Sequence, residues 1–229
     1  MVKAFVLKEI KESAWIWLIA AAAYAILSLD VMRVPLLPAF LRQTILGSAP
    51  AETIPFVNLQ IAQGLGWITG LFAVGLGIWQ SFGESWRGTF PLILHAPMPR
   101  QRLFCCKLAV GSVLVLGLAG IALAVMSLWA ATPATHASPF EWDMTGFSWR
   151  VWFAGPLLYL GGFAAGIYPA RWLGTRLFPT MIAVFLVSVF LITSETAALS
   201  VWIFAPGIVL AECAYLVTIG HLIRSRDFA

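Results

Sequence analysis

Long apolar runs alternate along this chain with short polar or proline-containing segments. Six of the runs are long enough to cross the hydrocarbon core of a membrane as a helix, which takes about 20 residues. They cover residues 13–29, 56–82, 108–131, 149–168, 178–194 and 199–221. The pattern predicts an all-α integral membrane protein with six transmembrane helices, formed by residues 1–229 as a single domain.

The segment ahead of the first run, residues 2–12, mixes charged and apolar side chains. Three lysines ahead of an alanine-rich run are also the pattern of a secretory signal peptide, in which a basic segment precedes an apolar one. Glu9 and Glu12, however, make the segment amphipathic rather than simply basic, and the run is long for a signal core. We therefore expect a short helix on the membrane surface, with Phe5 and Leu7 toward lipid.

Composition supports the membrane assignment. Of the 229 residues, 61% are hydrophobic and 10% are charged, and the mean hydropathy is +0.90. An ordinary soluble domain of this size carries more polar surface. The three cysteines, Cys105, Cys106 and Cys213, have neither zinc-ligand nor disulfide-framework spacing and are interpreted as small apolar residues.

The distribution of basic residues predicts the orientation. A net charge of +4 can indicate a nucleic-acid partner, but in a membrane chain basic residues first report topology, and no nucleic-acid partner is expected. With the N-terminus inside, three basic residues lie outside: Arg33, Arg42 and Arg150. Eleven lie inside: Lys3, Lys8, Lys11, Arg87, Arg100, Arg102, Lys107, Arg171, Arg176, Arg224 and Arg226. Both termini are therefore predicted to be cytoplasmic, in the cell (inner) membrane.

This topology places residues 83–107, GESWRGTFPLILHAPMPRQRLFCCK, in the cytoplasm between the second and third spans. Residues 84–95 are predicted to form a short, half-apolar helix with a bend. Pro97 and Pro99 oppose a helix upstream and predict a turn. A short helix held at the membrane face by such a turn is suited to dock into a groove on a cytoplasmic partner.

The same stretch resembles the loop after the second span in permeases of ABC-2-type exporters. In that family the loop carries an acidic cluster, then Gly-Thr, a leucine-rich turn, a proline, an arginine and a lysine. Two departures are Trp86, where the family often has a second acid, and Ser85, where an arginine often follows the first acid. Arg87 is then the nearby cation. The residues that match in order and spacing, with this cation, are Glu84, Arg87, Gly88, Thr89, Pro97, Arg100 and Lys107, together with the leucine-rich turn 92–94.

The resemblance implies a function for the whole chain. Residues 83–107 would include the coupling helix that meets a nucleotide-binding subunit, and the chain would be the permease of an ATP-driven exporter. The sequence has no G-x-x-x-x-G-K-[ST] phosphate loop. ATP and Mg²⁺ are therefore expected on a separate ABC ATPase, and no cofactor or enzymatic activity on this chain. Six spans make half of the usual pathway, so a second permease copy or a related permease is expected as well.

Glu212 is the one acidic residue well inside a predicted span. An ionisable group there is costly and suggests a function, such as contact with a substrate or gating. The alternatives are a protonated structural glutamate and a position nearer the cytoplasm. Glu195, between the fifth and sixth spans, is expected to face outer water. The three histidines are far apart in sequence and do not predict a metal site.

Other functions remain open from the sequence. A haem-exporter-like permease has similar length and six spans, but its loop lacks the proline-flanked, arginine-containing turn. A non-transporting anchor or scaffold subunit of a larger complex would need no ATPase, and residues 83–107 would then be a plain connector. The substrate is not predicted; the apolar spans and small outer loops only favour a hydrophobic or amphipathic one.

Overall fold

The computed structural model describes residues 2–32, 55–56, 59–86, 99–133, 135, 140–169, 173–196 and 200–225. Within these ranges the chain is helical, with no β-strand. The helices are α1 (Val2–Glu12), α2 (Ala14–Val31), α3 (Gln60–Trp86), α4 (Arg100–Ala131), α5 (Gly146–Ile167), α6 (Leu173–Thr196) and α7 (Ser200–Ser225). A 3₁₀ turn, Trp142–Thr145, leads directly into α5.

Five of these helices, α2, α3, α4, α6 and α7, are long and apolar enough to cross a membrane. This indicates a multi-pass membrane protein, as predicted. Their outward faces are apolar: Leu71 of α3 is 73% exposed and Val217 of α7 is 72% exposed. Such surfaces are suited to lipid rather than to water, because a soluble protein rarely exposes large contiguous apolar patches.

The fourth predicted span, residues 149–168, corresponds to α5, which is not among those five helices. It contains a charged residue, Arg150, in its second turn, and several glycines. The fold explains this composition, because α5 is the central helix and packs against α3, α4, α6 and α7. From Tyr159 to Ile167 every residue of α5 is buried. A helix surrounded by protein has less need of an apolar surface toward lipid than the helices around it.

Two glycines allow α3 and α5 to approach at backbone distance. A Cβ added to Gly77 of α3 would collide with the Tyr159 carbonyl oxygen and lie 2.6 Å from the Phe163 nitrogen of α5. A Cβ added to Gly162 of α5 would lie 2.6 Å from the Val74 carbonyl oxygen of α3. Small residues at helix contacts of this kind are typical of membrane bundles, in which van der Waals packing drives helix association.

The predicted loop 83–107 is shorter than expected at both ends. Helix α3 continues through Glu84 to Trp86, and α4 begins at Arg100. Pro99 stands at the N-cap with φ −60° and ψ 134°, and no proline or glycine follows it in the next turns. A proline just before the first helical turn loses no intrahelical hydrogen bond, so the helix can begin immediately after it.

Candidate functional site

One end of the bundle gathers most of the basic residues that the structure describes, and we call it the basic end. It contains α1, the end of α3, the start of α4, the end of α5, the start of α6 and the end of α7. The Arg176 guanidinium of α6 donates to the Gly166 carbonyl oxygen of α5 at 2.9 Å. Gln101 of α4 lies beside Arg224 of α7, and its amide oxygen, in the orientation that satisfies both groups, accepts from that guanidinium at 3.0 Å.

A buried ion pair connects α1 to α4 at this end. The Lys107 ammonium nitrogen lies 3.1 Å from Glu9 Oε1, and the two side chains are 4% and 2% exposed. The same ammonium donates to the Gln80 carbonyl oxygen of α3 at 3.2 Å. Two charges can remain in a low-dielectric interior only when they are paired and hydrogen-bonded, so this contact fixes the relative positions of three helices.

Tyr159 of α5 extends the same network. Its hydroxyl donates to Gln80 Oε1 at 2.7 Å and lies 3.2 Å from the Lys107 carbonyl oxygen, which also accepts. Glu9, Gln80, Lys107 and Tyr159 therefore link α1, α3, α4 and α5, and we call these four residues the polar junction. Within the described part of the chain, Gln80 Nε2 has no hydrogen-bond partner. A cavity of about 10 Å³ adjoins it, about the size of one water molecule.

Local hydrogen bonds hold α1 in the orientation that turns Glu9 inward. The Ser13 hydroxyl donates to the Glu9 carbonyl oxygen at 2.7 Å, and the Trp17 indole donates to the Ile10 carbonyl oxygen at 3.1 Å. The Trp79 indole of α3 donates to the Glu12 carbonyl oxygen at 3.3 Å. Carbonyl groups in the last turn of a helix lack intrahelical partners, and the two indoles supply donors to Ile10 and Glu12. The Glu9 carbonyl oxygen accepts from the Ser13 hydroxyl in addition to the Ser13 backbone N–H. The end of α1 is thereby attached to both α2 and α3.

The residues predicted for the coupling loop are only partly described. Glu84 lies in the last turn of α3, and Arg100 is the first residue of α4. The others, Arg87, Gly88, Thr89 and Pro97, lie outside the described residues, as does most of the predicted coupling helix.

Lys107 differs from its predicted position in this loop. It lies about two turns into α4, and its ammonium is buried in the polar junction rather than presented to a partner. In this structure Lys107 therefore holds helices of its own chain together.

Glu212 lies near the middle of α7, on the helix stripe that faces the bundle. Ile208 one turn before it and Ile219 two turns after it on this stripe are fully buried. The side chain of Glu212 is partly buried, and its Oε1 is enclosed without a hydrogen-bond partner in the described part of the chain. The structure thus places Glu212 midway along a helix that is apolar enough to cross a membrane, and within the described ranges its enclosed oxygen has no hydrogen-bond partner.

A long apolar groove runs between α3 and α6, with α5 at its floor. Its volume is about 610 Å³, and Trp67 and Leu71 of α3 line it opposite Val184 and Val187 of α6. Polar atoms are few in its lining; Ser188 and Gln63 are among the polar residues there. The groove is open on the outward side of the bundle. We call it the α3–α6 groove.

Sequence reasoning did not single out the polar junction. Glu9 was interpreted as part of an amphipathic surface helix, and Gln80 and Tyr159 were not singled out. The available signal was weak, because a single glutamine inside an apolar run and a glutamate in a mixed leader are both common. Their combination becomes visible only when α1 folds back against α3 and α4. Within the described ranges, no three His, Cys, Asp or Glu side chains are grouped so as to hold a metal ion.

We compared the chain with protein-family models, with curated proteins and with solved structures, and none of the three comparisons found a match.

Removal of the Tyr159 hydroxyl tests the polar junction from the α5 side. Tyr159→Phe leaves Gln80 Oε1 and the Lys107 carbonyl oxygen short of a buried donor, which costs about 1–2 kcal/mol. We expect the midpoint of thermal unfolding in detergent, followed by tryptophan fluorescence, to fall by about 2–6 °C. Tyr168→Phe, just beyond the end of α5 and partly exposed, is the control and should leave the midpoint unchanged. Equal midpoints for the two variants would show that the hydroxyl contributes nothing.

Proposed function

We propose that this chain is the membrane-spanning permease subunit of an ATP-driven exporter of the ABC-2 type. It works with a second copy or a related permease, and with separate ATPase subunits that bind ATP and Mg²⁺. The observation that carries the proposal is the polar junction. It joins α1, the end of α3 and the start of α4 on the two sides of residues 87–98, the segment that holds most of the family-like motif.

The proposal includes six spans with both termini in the cytoplasm. Helix α5 supplies the sixth span, since its 22 residues extend over about 33 Å, enough to cross a hydrocarbon core of about 30 Å. The contacts Arg176–Gly166 and Lys107–Gln80 support alternating helix directions, because each joins the end of one helix to the start of another. The accumulation of basic residues at one end of the bundle favours that end as the cytoplasmic one.

The polar junction gives the mechanism a physical basis. ATP binding would close the ATPase dimer and move the segment 87–98 that docks on it. A displacement of this segment would act on both α3 and α4. The hydrogen bond from Lys107 to the Gln80 carbonyl oxygen and the buried pair Glu9–Lys107 would keep the ends of α3 and α4 moving together with α1. The displacement then passes to α5 through Tyr159. The helices would move together as a rigid body against the second permease, which is a common form of switching.

The α3–α6 groove is the proposed surface of the export pathway. It is open on one side, so a second permease facing it would complete a closed route. Its mainly apolar lining favours a hydrophobic or amphipathic substrate. Glu212 lies on the inward stripe of α7 and is the proposed gating or substrate-contacting group, because an enclosed carboxylate oxygen gains most from a cationic or hydrogen-bonding ligand.

The test is purification of the tagged full-length chain in mild detergent, with mass spectrometry of the proteins that accompany it. We expect an ATPase with a Walker motif in stoichiometric amount. Gly88→Pro and Arg100→Glu should each reduce its recovery at least ten-fold, because they alter the segment 87–98 and the first residue of α4. Asp143→Lys is the matched control: it reverses an exposed charge in the 3₁₀ turn at the opposite end of the bundle and should leave recovery unchanged.

Two results would contradict the proposal. If no ATPase accompanies the wild-type chain, the chain is better explained as an anchor or scaffold subunit, and the proteins that do accompany it identify the complex. If an ATPase is recovered equally with all three variants, it binds elsewhere and the segment 87–98 is a connector.

A further inference from the structure

A second groove lies between α2 and α3, on the outside of the bundle. Its volume is about 550 Å³, and its lining is almost wholly apolar, including Ile19 of α2 and Leu71 and Phe82 of α3. Along α3 it extends from Ile68 to Gly83, which at a rise of about 1.5 Å per residue is about 22 Å. That exceeds the half-thickness of a hydrocarbon core of about 30 Å, so a chain spanning one leaflet fits in it. We call it the α2–α3 groove.

An aromatic pair closes this groove at the basic end. The rings of Trp15 and Trp79 meet edge to face with centroids 5.0 Å apart, and both residues line the groove. The Trp79 indole nitrogen also donates to the Glu12 carbonyl oxygen, which brings the end of the groove beside the last turn of α1. Tryptophans of membrane proteins concentrate at the level of the lipid headgroups, so this end of the groove is expected at that depth.

The accessible charge of α1 is positive, and the polar junction is the reason. Glu9 is buried with Lys107 and does not contribute to the surface. What remains accessible is one carboxylate, Glu12, against three lysines: Lys3, Lys8 and Lys11. Lys8 and Lys11 lie within one helical turn of Glu12, whose carbonyl group meets the end of the groove. A basic surface therefore adjoins the mouth of an apolar groove.

We propose that the α2–α3 groove and the lysines of α1 together form a binding site for an anionic phospholipid. One acyl chain occupies the groove, and the phosphate of the headgroup lies against Lys8 and Lys11. Basic side chains near a membrane surface attract anionic lipids, by about five-fold in affinity for each lysine. The groove lining lacks the polar groups that a free anion would need, and a neutral lipid would gain nothing from the lysines. This site does not depend on the transport proposal, since it requires no ATPase and no second permease.

The experiment is native mass spectrometry of the full-length chain in detergent, titrated with phosphatidylglycerol or with phosphatidylcholine of the same acyl chains. We expect the wild-type chain to bind phosphatidylglycerol at least ten-fold more tightly. Gly75→Leu should weaken binding of both lipids at least ten-fold, because Gly75 lines the groove and open space surrounds its Cβ position. Gly117→Leu in α4 is the matched control, because it also adds its side chain to open space and Gly117 does not line this groove.

The charge is tested separately. Lys8→Gln combined with Lys11→Gln should remove the preference for phosphatidylglycerol, while Arg102→Gln, an exposed cation of α4 at the same end, should preserve it. Equal binding of the two lipids by the wild-type chain would overturn the proposal. So would equal binding by Gly75→Leu and Gly117→Leu, or competition by inorganic phosphate at the same concentration as the lipid. A dimer that disappears only in Gly75→Leu would mean that a second copy of the chain occupies the groove instead.

Discussion

Replacement of Lys107 by methionine is expected to lower the free energy of unfolding by about 3–5 kcal/mol, the cost of leaving one partner of a buried ion pair uncompensated. Methionine retains most of the volume of the lysine side chain, so the loss is electrostatic rather than a cavity. The change leaves the Glu9 carboxylate buried at 2% exposure and removes the donor to the Gln80 carbonyl oxygen. Unfolding by an ionic denaturant in mixed micelles, followed by tryptophan fluorescence, measures the difference.

The chain provides its own control for this prediction. Lys8 and Glu12 form a second ion pair that also involves α1, with a nitrogen–oxygen distance of 3.7 Å, but their side chains are 39% and 33% exposed. Lys8→Met should cost no more than about 1 kcal/mol, because an exposed pair is already well solvated. If Lys107→Met and Lys8→Met have equal small effects, the polar junction does not stabilise the fold.

A double variant separates the charge from the packing. Glu9→Leu combined with Lys107→Met removes both charges, and replacement of a buried ion pair by apolar side chains is often neutral or stabilising. We expect it to recover most of the stability lost in Lys107→Met, with a coupling energy of at least about 2 kcal/mol between the two positions. A loss equal to the sum of the single variants would show that the two residues act independently.

Gly77→Ala is expected to destabilise the chain by about 2–3 kcal/mol, although alanine favours a helix more than glycine does. The added Cβ would meet the backbone of α5, at the Tyr159 carbonyl oxygen and the Phe163 nitrogen. Backbone cannot move aside as a flexible side chain can, so the two helices must separate. Their separation would also stretch the hydrogen bond between Tyr159 and Gln80. The same denaturation assay measures the effect.

Gly75→Ala in the same helix is the matched control. No atom lies within 4 Å of its added Cβ, so only the helix preference changes. We expect a gain of about 0.5–1 kcal/mol from that preference alone. A loss of stability in Gly77→Ala and a gain in Gly75→Ala, only two residues away, would demonstrate the close contact of α3 with α5. A gain in both variants would mean that the two helices do not approach as closely as the structure has them.

Much of the fold could be predicted from the lengths and positions of the apolar runs. Five of the six predicted runs correspond to helices that can cross a membrane, and most of their ends lie within a few residues of the predicted ones. The largest difference is at α4, which begins at Arg100 rather than at 108, because charged residues directly after a proline can begin a helix that an apolar window does not include. The central position of α5 was not predictable, because a helix enclosed by other helices and a helix facing lipid can both appear as apolar runs, and only the packing of α5 against α3, α4, α6 and α7 distinguishes them.

The candidate site was predicted less well, for a physical reason. Local sequence shows that Glu9 and Lys107 carry charges, but not that they lie within 3.1 Å of each other across almost a hundred residues. Glu9 was interpreted from the amphipathic character of residues 2–12, and Lys107 from the distribution of basic residues and the resemblance of the loop. Neither argument considers a pair between distant residues, although a charge can be buried when a partner of opposite charge is present. Glu212, in contrast, could be singled out from the sequence, because a single acid within an apolar run is conspicuous without any partner.

The sequence by itself determined the class of protein, the number of apolar segments and the distribution of basic residues among them. These properties depend on composition within 20-residue windows, which the cost of burying charge in lipid makes directly informative. Only the tertiary structure decided which helix lies at the centre, where two helices touch at Gly77, and which charges are removed from the surface. Those outcomes depend on contacts between residues far apart in the chain, and such contacts leave no pattern in any single segment.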